Sequence, residues 1–498
     1  MSSTTVAPLK VRFARRSTQG LILGLDGWNL GSLAIGAGIF LAMLYRVGIV
    51  GVLATAPLWG AFAILGLIRP AGMSGLRFVA LWAGLQLRVS AGLAKEQYRP
   101  ERLTKPGTLN LPGRLRNVRL WDSATGLAVV FDPVERTFSI TAELLVSGFL
   151  MREDAERATL VGGFSRVLGQ MTRMAGVTRV TIQERTVPTT TAAAWRSYRE
   201  AVGVRPLRVD PMVAANYEGA LNNAAPFAVA HRNYLTVTFS ATSRAAEIAA
   251  FGGGDEGLVA AAALSAQGIE DALGSAEIQV RRWLTPRTWA ALGRSAFDPE
   301  YVTREATVDE MMAGVDPRAI GPMVFDETDR RGKSVRTDSG WHTTLWIHEW
   351  PRSDTHVGFI EPIVFARNPA TGRAVTHILS IVLTPTTTNQ ALKDIREEKK
   401  TWTANMRFKS KRGEQPTAAD DADYLAITDR EARIVAGEGE FRFGAYLTVT
   451  CDDPQELPGA VAAMQNAIAQ AGLEAQILYC QQAEALMVNA LPTGQGMR

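Results

Sequence analysis

Hydrophobic and polar positions divide this chain into three zones. The first is a nearly unbroken apolar run from Gly27 to Ile68, carrying a single charge, Arg46. About 20 apolar residues cross a bilayer as a helix, so the run predicts a two-helix transmembrane hairpin with spans at 28–44 and 47–68. Tyr45 and Arg46 mark the turn, because arginine is costly in hydrocarbon and cheap at an interface. Trp28, Tyr45 and Trp59 have rings that suit headgroups, although Trp59 lies deep in its span. Pro57 predicts a kink in the second helix.

The second zone is 74–98. Leu76, Val79, Trp82, Leu85 and Val89 recur at spacings of three and four, which predicts a helix. Arg77, Arg88 and Lys95 are interleaved. The pattern fits a helix lying on the inner leaflet and equally one docked on the body that follows.

From about Asn117 the period changes to alternating strands and amphipathic helices. A strand–helix–strand unit occurs four times: 137–142, 154–174 and 177–184; 234–240, 255–273 and 277–283; 343–349, 357–366 and 374–383; 444–451, 454–471 and 475–481. In the first helix Leu160, Phe164, Val167, Leu168 and Met171 form one stripe. In Tyr446-Leu447-Thr448-Val449-Thr450, aromatic and β-branched residues dominate, as a pleated surface prefers. The fold expected is α+β, built from serial split βαβ, ferredoxin-like subdomains. The expected boundaries are a basic tail 1–26, the hairpin 27–68, a juxtamembrane helix and linker 69–110, subdomains 111–300 and 341–498, and a linker 301–340 between them. The polar stretch 409–424, with Gly413 and Pro416, reads as a mobile loop.

Charge sets an orientation. Lys10, Arg12, Arg15 and Arg16 precede the first span; Arg69, Arg77 and Arg88 follow the second. The positive-inside rule then places both ends in the cytoplasm and the chain in the inner membrane as a multi-pass protein. Small residues four apart, Ala34, Gly38 and Ala42 on one helix and Ala56 and Gly60 on the other, allow close helix approach. They suit either a partner's membrane helices or each other. In 498 residues, 53 basic and 49 acidic side chains leave an excess of +4, which gives no reason to expect direct nucleic-acid binding. The basic end 407–412 of the helix expected at 389–407 reads as a solvated helix terminus rather than a phosphate contact. Cys451 and Cys480 form neither a disulfide framework nor a zinc motif.

Candidate chemistry begins with Arg330-Arg331-Gly332-Lys333-Ser334-Val335. A P-loop needs G-x-x-x-x-G-K-[ST] between a strand and a helix. Here Gly332, Lys333 and Ser334 fit, but Glu327 holds the first glycine position. Asp326 and Asp329 are carboxylates where phosphate would bind, and no apolar helix follows. Gly252-Gly253-Gly254 precedes Asp255 and Glu256, a helix start that repels anions. His342 and His348 share a strand face about 20 Å apart and cannot share a metal. His348 could approach His356, with Glu349 on the other face. No catalytic set, metal site or cofactor is expected.

The stretches WHTTLWIHEWPRSDTHVGFIEPIV, FRFGAYLTVTCDDPQEL and AQILYCQQAEALMVNALPTG resemble the non-motor half of the TraC-like ATPases of type IV secretion. Trp350-Pro351 matches that family's strand-ending turn. Leu491-Pro492 matches the segment that precedes its motor, and this chain stops at Arg498, where the motor would start. The hairpin resembles the small PrgI-like membrane component of such operons, and the whole resembles an actinobacterial conjugation-associated membrane family. The resemblance implies a non-catalytic scaffold in conjugative DNA transfer or secretion that recruits a separate hexameric type IV secretion ATPase. Other membrane components of the channel, the lipid bilayer and further copies of the chain are its expected partners. Arg330, Arg331 and Lys333 are the candidate partner-contact loop. The P-loop is absent, so no ATPase residue carries over. Two rivals stand: a type VII secretion component of the EccE kind, and a membrane-bound nucleotide-dependent enzyme using Lys333.

Overall fold

The computed structural model describes residues 10–11, 27–97, 107–109, 111–145, 152–189, 191–204, 210–304, 314–351, 355–436 and 439–497. Of the basic tail, the short strand Lys10–Val11, paired with Thr355–His356, is among them. Arg12, Arg15 and Arg16 lie outside the described residues.

The apolar run folds back on itself as helices Gly27–Val47, Ile49–Ala54 and Ala56–Leu67. The reversal falls at Gly48, three residues beyond Tyr45. Gly48 has φ of 78°, a left-handed conformation that strains a residue with a Cβ, so the helix runs through Tyr45 and Arg46 to reach it. The second limb breaks at Thr55, since Pro57 has no N–H to give the carbonyl of Leu53. Neighbouring donors repair the break. The Thr55 hydroxyl donates to the Gly51 carbonyl at 2.8 Å, and the Trp59 indole donates to that of Val52 at 3.1 Å. That repair explains a tryptophan so deep in the run.

The limbs meet along Asn29, Ser32 and Gly36, all buried. The Ser32 hydroxyl donates to the Phe62 carbonyl at 2.7 Å across the hairpin. A Cβ on Gly36 would lie 3.1 Å from the Trp59 carbonyl oxygen, and one on Gly66 2.8 Å from Leu33. The stripe Ala34, Gly38 and Ala42 faces outward instead, and a Cβ on Gly38 or Gly60 would meet nothing within 4 Å. Those small residues therefore do not hold the two limbs together. Among the described residues, Gly27–Val47 is long and apolar enough to cross a membrane by itself, whereas Ala56–Leu67 is apolar but shorter.

The rest is a mixed α+β body built on one antiparallel sheet of 13 strands. In chain order these are β1 Lys95–Gln97, β2 Arg119–Asp122, β3 Ala128–Asp132, β4 Thr137–Leu145, β5 Val177–Pro188, β6 Val229–Ser240 and β7 Gln279–Trp283. They continue with β8 Val324–Asp326, β9 Val335–Arg336, β10 Trp341–Glu349, β11 His377–Thr386, β12 Glu440–Cys451 and β13 Glu474–Ile477. The sheet runs β1-β8-β9-β10-β12-β11-β5-β6-β4-β3-β2, with β13 beside β10 and β7 beside β4.

The four strand–helix–strand units occupy the expected segments, but they interleave rather than follow in series. β6 inserts between β4 and β5, so four strands lie side by side as β7-β4-β6-β5. The second set repeats the arrangement as β13-β10-β12-β11. The sets join through β5 and β11, with Ile182 opposite Ile381. Each set also carries a pair of helices between its second and third strands in chain order. These are Ala192–Val204 with Pro211–Ala224, and Thr388–Lys411 with Ala418–Val435.

Two stretches expected to be irregular carry regular elements among their described residues. β8 and β9 fall inside 301–340 and extend the sheet edge, so that stretch is not simply a linker. Within 409–424 the loop is confined to 412–417, because helix Thr388–Lys411 runs into the stretch and Thr417 and Asp420 form a capping box that starts helix Ala418–Val435. Lys409 then pairs with Asp420 at 2.8 Å, which occupies the centre of the basic 407–412 end.

Alternation along the strands gives the sheet one apolar and one polar face. Helices Asp154–Arg173, Gly254–Gly274 and Leu457–Gln470 lie on the apolar face, over Phe138, Ile140, Val237 and Phe239 in one half and Leu345, Leu447 and Val449 in the other. The polar face is also buried, beneath helices Pro286–Phe297 and Gln482–Ala490, whose Trp289, Leu292, Leu486 and Met487 belong to a separate core. Its hydroxyls pair across strands, Thr141 with Thr236 at 3.0 Å and Thr344 with Thr448 at 2.9 Å. The Gln482 side chain brackets Thr344, accepting from its N–H at 2.7 Å and donating to its carbonyl at 3.1 Å.

At the seam between the halves stands Arg185, 2% exposed. Its Nε donates to Gln183 at 2.7 Å, its Nη1 to the Leu292 carbonyl at 2.9 Å, and its Nη2 to the Ala490 carbonyl. Burial lowers its pKa to about 10, which leaves it charged at neutral pH. Arg185→Met should leave these acceptors without a donor and cost roughly 3 kcal/mol. Chemical denaturation should read that loss, and Arg185→Lys should recover little of it, since one ammonium cannot reach all three acceptors.

Candidate functional site

The Arg330–Val335 loop forms around Asp329. Asp at the first position and Gly at the fourth favour a tight turn, and the Gly332 N–H closes it on the Asp329 carbonyl at 2.8 Å. The Asp329 carboxylate then accepts from the backbone N–H groups of Arg331 (3.0 Å), Lys333 (2.9 Å) and Ser334 (3.2 Å), and from the Ser334 hydroxyl at 3.1 Å. Converging amides are what a phosphate cradle offers. Here the chain's own carboxylate fills it.

The loop is locked to its surroundings. Gly332 has φ of 60°, and a Cβ there would lie 2.6 Å from Cys480 Sγ. Arg330 and Arg331 are exposed, while Lys333 Nζ sits 5.7 Å over the Tyr479 ring. Glu327, at the first P-loop position, is 3% exposed. It pairs with Arg88 at 3.1 Å and accepts from the Ala483 N–H at 3.2 Å, at the start of helix Gln482–Ala490. Burial raises its pKa against the pull of Arg88.

Arg88 comes from helix Gly75–Ser90, which starts at Ser74, whose hydroxyl accepts from the Arg77 N–H. This helix bridges hairpin and body. Its Leu85 is fully buried, Phe78 meets Tyr479 at 6.0 Å, and Arg88 also donates to the Cys480 carbonyl at 3.1 Å. The candidate contact loop and the juxtamembrane helix are thus one assembly. Of the hairpin residues singled out in the sequence, Trp28 is 51% and Tyr45 94% exposed. Arg46 closes the first helix, Pro57 opens the third, and Arg69 precedes the turn Pro70–Gly72.

A second cluster lies at the seam, on the sheet face opposite Arg185. Thr186 is opposite both His231 and His377 in register. The Glu184 carboxylate lies 3.1 Å from His231 Nδ1 and 3.4 Å from His377 Nε2, and accepts from the Thr186 hydroxyl at 2.8 Å. His377 Nδ1 must donate to the Val375 carbonyl at 2.7 Å. Burial alone would raise the Glu184 pKa, but the hydrogen bonds of both histidines and the charge of His377 hold it at about 2. Sequence reasoning passed over this group because only strand register assembles it.

Elsewhere His348, Glu349 and Glu474 bring three ligand atoms within 4.8 Å of one another. A register shift between Ile347 and Glu349 puts Glu349 beside His348, not on the opposite face. An open cleft of about 440 Å³ between the 122–125 turn and helix Gly254–Gly274 presents Trp121, Asp122, Asp255 and Glu256, a lining that repels anions. The thiols are unpaired. Burial and nearby Glu456, Asp452 and Asp453 push Cys451 up to about 12, and burial raises Cys480 as well, so neither is an activated nucleophile.

His342 is no ligand. It is fully buried, with Nε2 at 2.7 Å from the Thr337 hydroxyl and Nδ1 at 2.9 Å from that of Thr450. Burial drops its pKa to about 3. No protein-family model and no curated protein matches the chain.

Three outcomes follow from these sites. Because the folded pKa of His342 lies below its ordinary 6.5, the unfolded chain binds the extra proton between those values and stability falls as pH drops. The loss should reach roughly 2 kcal/mol between pH 6.5 and 5, and His342→Gln should flatten that part of the melting profile. Titration with magnesium ATP or GTP should give no binding heat, and a nucleotide-dependent rise in melting midpoint would overturn the assignment of the loop. Asp329→Ala should cost about 1 kcal/mol, as a lost cap does.

Proposed function

We propose that the chain is a non-catalytic inner-membrane scaffold of a type IV-like conjugation or secretion machine, holding a separate hexameric ATPase at the bilayer. The observation that carries this reading is the firm join between an apolar hairpin and a large sheet body. Phe78 on Tyr479 and Arg88 on Glu327 and the Cys480 carbonyl fix helix Gly75–Ser90 to the body, so displacing the body against the hairpin would break these contacts. Such a join suits a platform that transmits position rather than a tethered enzyme that must move freely.

On this reading both limbs cross. Gly27–Val47 is about 31 Å long and 49–67 spans about 28 Å, close to a hydrocarbon thickness of about 30 Å. The basic flanks then put both ends in the cytoplasm. Each four-stranded set, with its first and third strands central, is a split βαβ, ferredoxin-like module, and the two are edge-joined copies of one plan. Ala34, Gly38 and Ala42, free of the hairpin contact, offer a face to other membrane components of the channel. Asp329 in the amide cradle weighs against the nucleotide-dependent rival and leaves nucleotide to the partner.

The helix pair in the first module is the best surface for that partner. Helix Pro211–Ala224 has no buried residue among those described, and Met212, Val213 and Tyr217 are 72, 58 and 46% exposed. Apolar side chains grouped in this way on one helix suit a protein contact. Detergent-extracted chain should co-purify with the ATPase encoded beside it, and Met212→Ser combined with Tyr217→Ser should weaken the association roughly tenfold. Persistent failure to bind any ATPase, or binding to type VII components instead, would remove the proposal.

A further inference from the structure

We infer that helix Gly75–Ser90 lies in the plane of the membrane, with its free face in the headgroup–acyl boundary of the bilayer. The inference rests on the reading that the hairpin crosses that bilayer. It assigns the uncovered face of the helix to lipid rather than to a protein.

The helix is apolar on two faces, and one is covered. Phe78, Leu81 and Leu85 turn toward the protein, Leu85 with no exposure at all. Around the other side Val79, Trp82 and Leu87 are 41, 45 and 69% exposed, and Leu93, just past the end, is 67% exposed. A helix docked on a body in water carries polar residues on its outer face. Val79, Trp82 and Leu87 share their arc with the uncharged Gln86 and Ser90, and no charged residue falls among them, which is the membrane face of an interfacial helix.

Continuity identifies the occupant. The Gly75 N–H donates to the Ile68 carbonyl at 3.1 Å. A Cβ on Gly75 would lie 2.7 Å from the Leu65 carbonyl oxygen and 2.9 Å from Ile68 Cγ1. The helix therefore starts jammed against the end of the hairpin, beside Leu67 and Ile68, which are 66 and 45% exposed. Lipid that covers those residues reaches the first turn of the free face without leaving the protein surface. The charges are placed to match. Arg77 is exposed beside the first turn, where cations meet headgroups. Arg88 turns back to Glu327 and the Cys480 carbonyl. Tyr479, which Phe78 and Lys333 both contact, backs the helix from the body side. A helix gripped this way cannot roll its apolar face inward to escape water.

The test is site-directed spin labelling of the full chain in nanodiscs of phosphatidylcholine and phosphatidylglycerol. Cys451→Ser removes the partly exposed thiol and Cys480 is buried. Labels go at Val79→Cys and Leu87→Cys, all at exposed positions like the two references. These are Leu41→Cys on the first hairpin helix and Val435→Cys on the body, 61 and 74% exposed in the native chain. Collision with oxygen relative to a water-soluble nickel chelate reports depth. Labels at 79 and 87 should show a ratio several-fold above that at 435 and below that at 41. A water-like ratio at 79 and 87 with a lipid-like one at 41 removes this inference alone. Weak collision with both reagents means a protein covers the face, and also overturns it. A water-like ratio at 41 removes the crossing, and the inference with it.

Discussion

The body depends on a buried positive charge that has been given carbonyls in place of a carboxylate. Arg185 sits on β5, the strand through which the two halves pair, and among the described residues no carboxylate lies in ion-pair range of it. Its three donors reach Gln183 on its own strand, Leu292 in one covering helix and Ala490 at the end of the other. Taking a guanidinium out of water is costly unless every donor is used. The position is tenable when β5 is in register and both helices are seated, so the charge makes the seam and its covering helices one cooperative unit. The Asn489 carbonyl takes the neighbouring donors of Gln183 and Ser380 in the same way.

Around that seam the chain uses one plan twice. In each half the first strand pairs with a hairpin partner at its start and with the fourth strand at its end: β4 with β3 and β7, β10 with β9 and β13. Equivalent threonine pairs, 141 with 236 and 344 with 448, line the polar face. The halves then diverge in their connections. The first crossover helix of the second half is reduced to Glu361–Val364. Both inserted helix pairs expose aromatic and aliphatic side chains, but one is laced by ion pairs such as Arg430 with Glu398, whereas helix Pro211–Ala224 of the other buries none of its described residues. Divergence outside a shared frame is the usual way in which repeated modules acquire separate contacts.

Legibility in the sequence followed how local each signal is. The four strand–helix–strand units were readable because periodicities of 2 and 3.6 are properties of neighbouring residues. The hairpin was readable for the same reason, though its turn was displaced because Gly48 could adopt a conformation that Tyr45 and Arg46 would strain to reach. Helix Ala418–Val435 was hidden by composition, yet Thr417 and Asp420 at capping-box spacing announced it. β8 and β9 could not be read, since two- and three-residue strands have no period of their own and exist because an edge is there to pair with.

The candidate loop shows the same division. That Arg330–Val335 is no nucleotide site was visible from Glu327 and Asp329, while the reason lay in three dimensions: Asp329 turns inward and occupies the amides itself. By itself the sequence determined the apolar hairpin, the amphipathic helix after it, the α+β class and the order of its elements, because each arises from local pattern. The tertiary structure alone decided the interleaving of the units, the seam chemistry of Arg185 and of Glu184 with its two histidines, and which face of helix Gly75–Ser90 stays open. Those depend on which distant strands come into register, and register is settled by the combined burial of residues hundreds of positions apart.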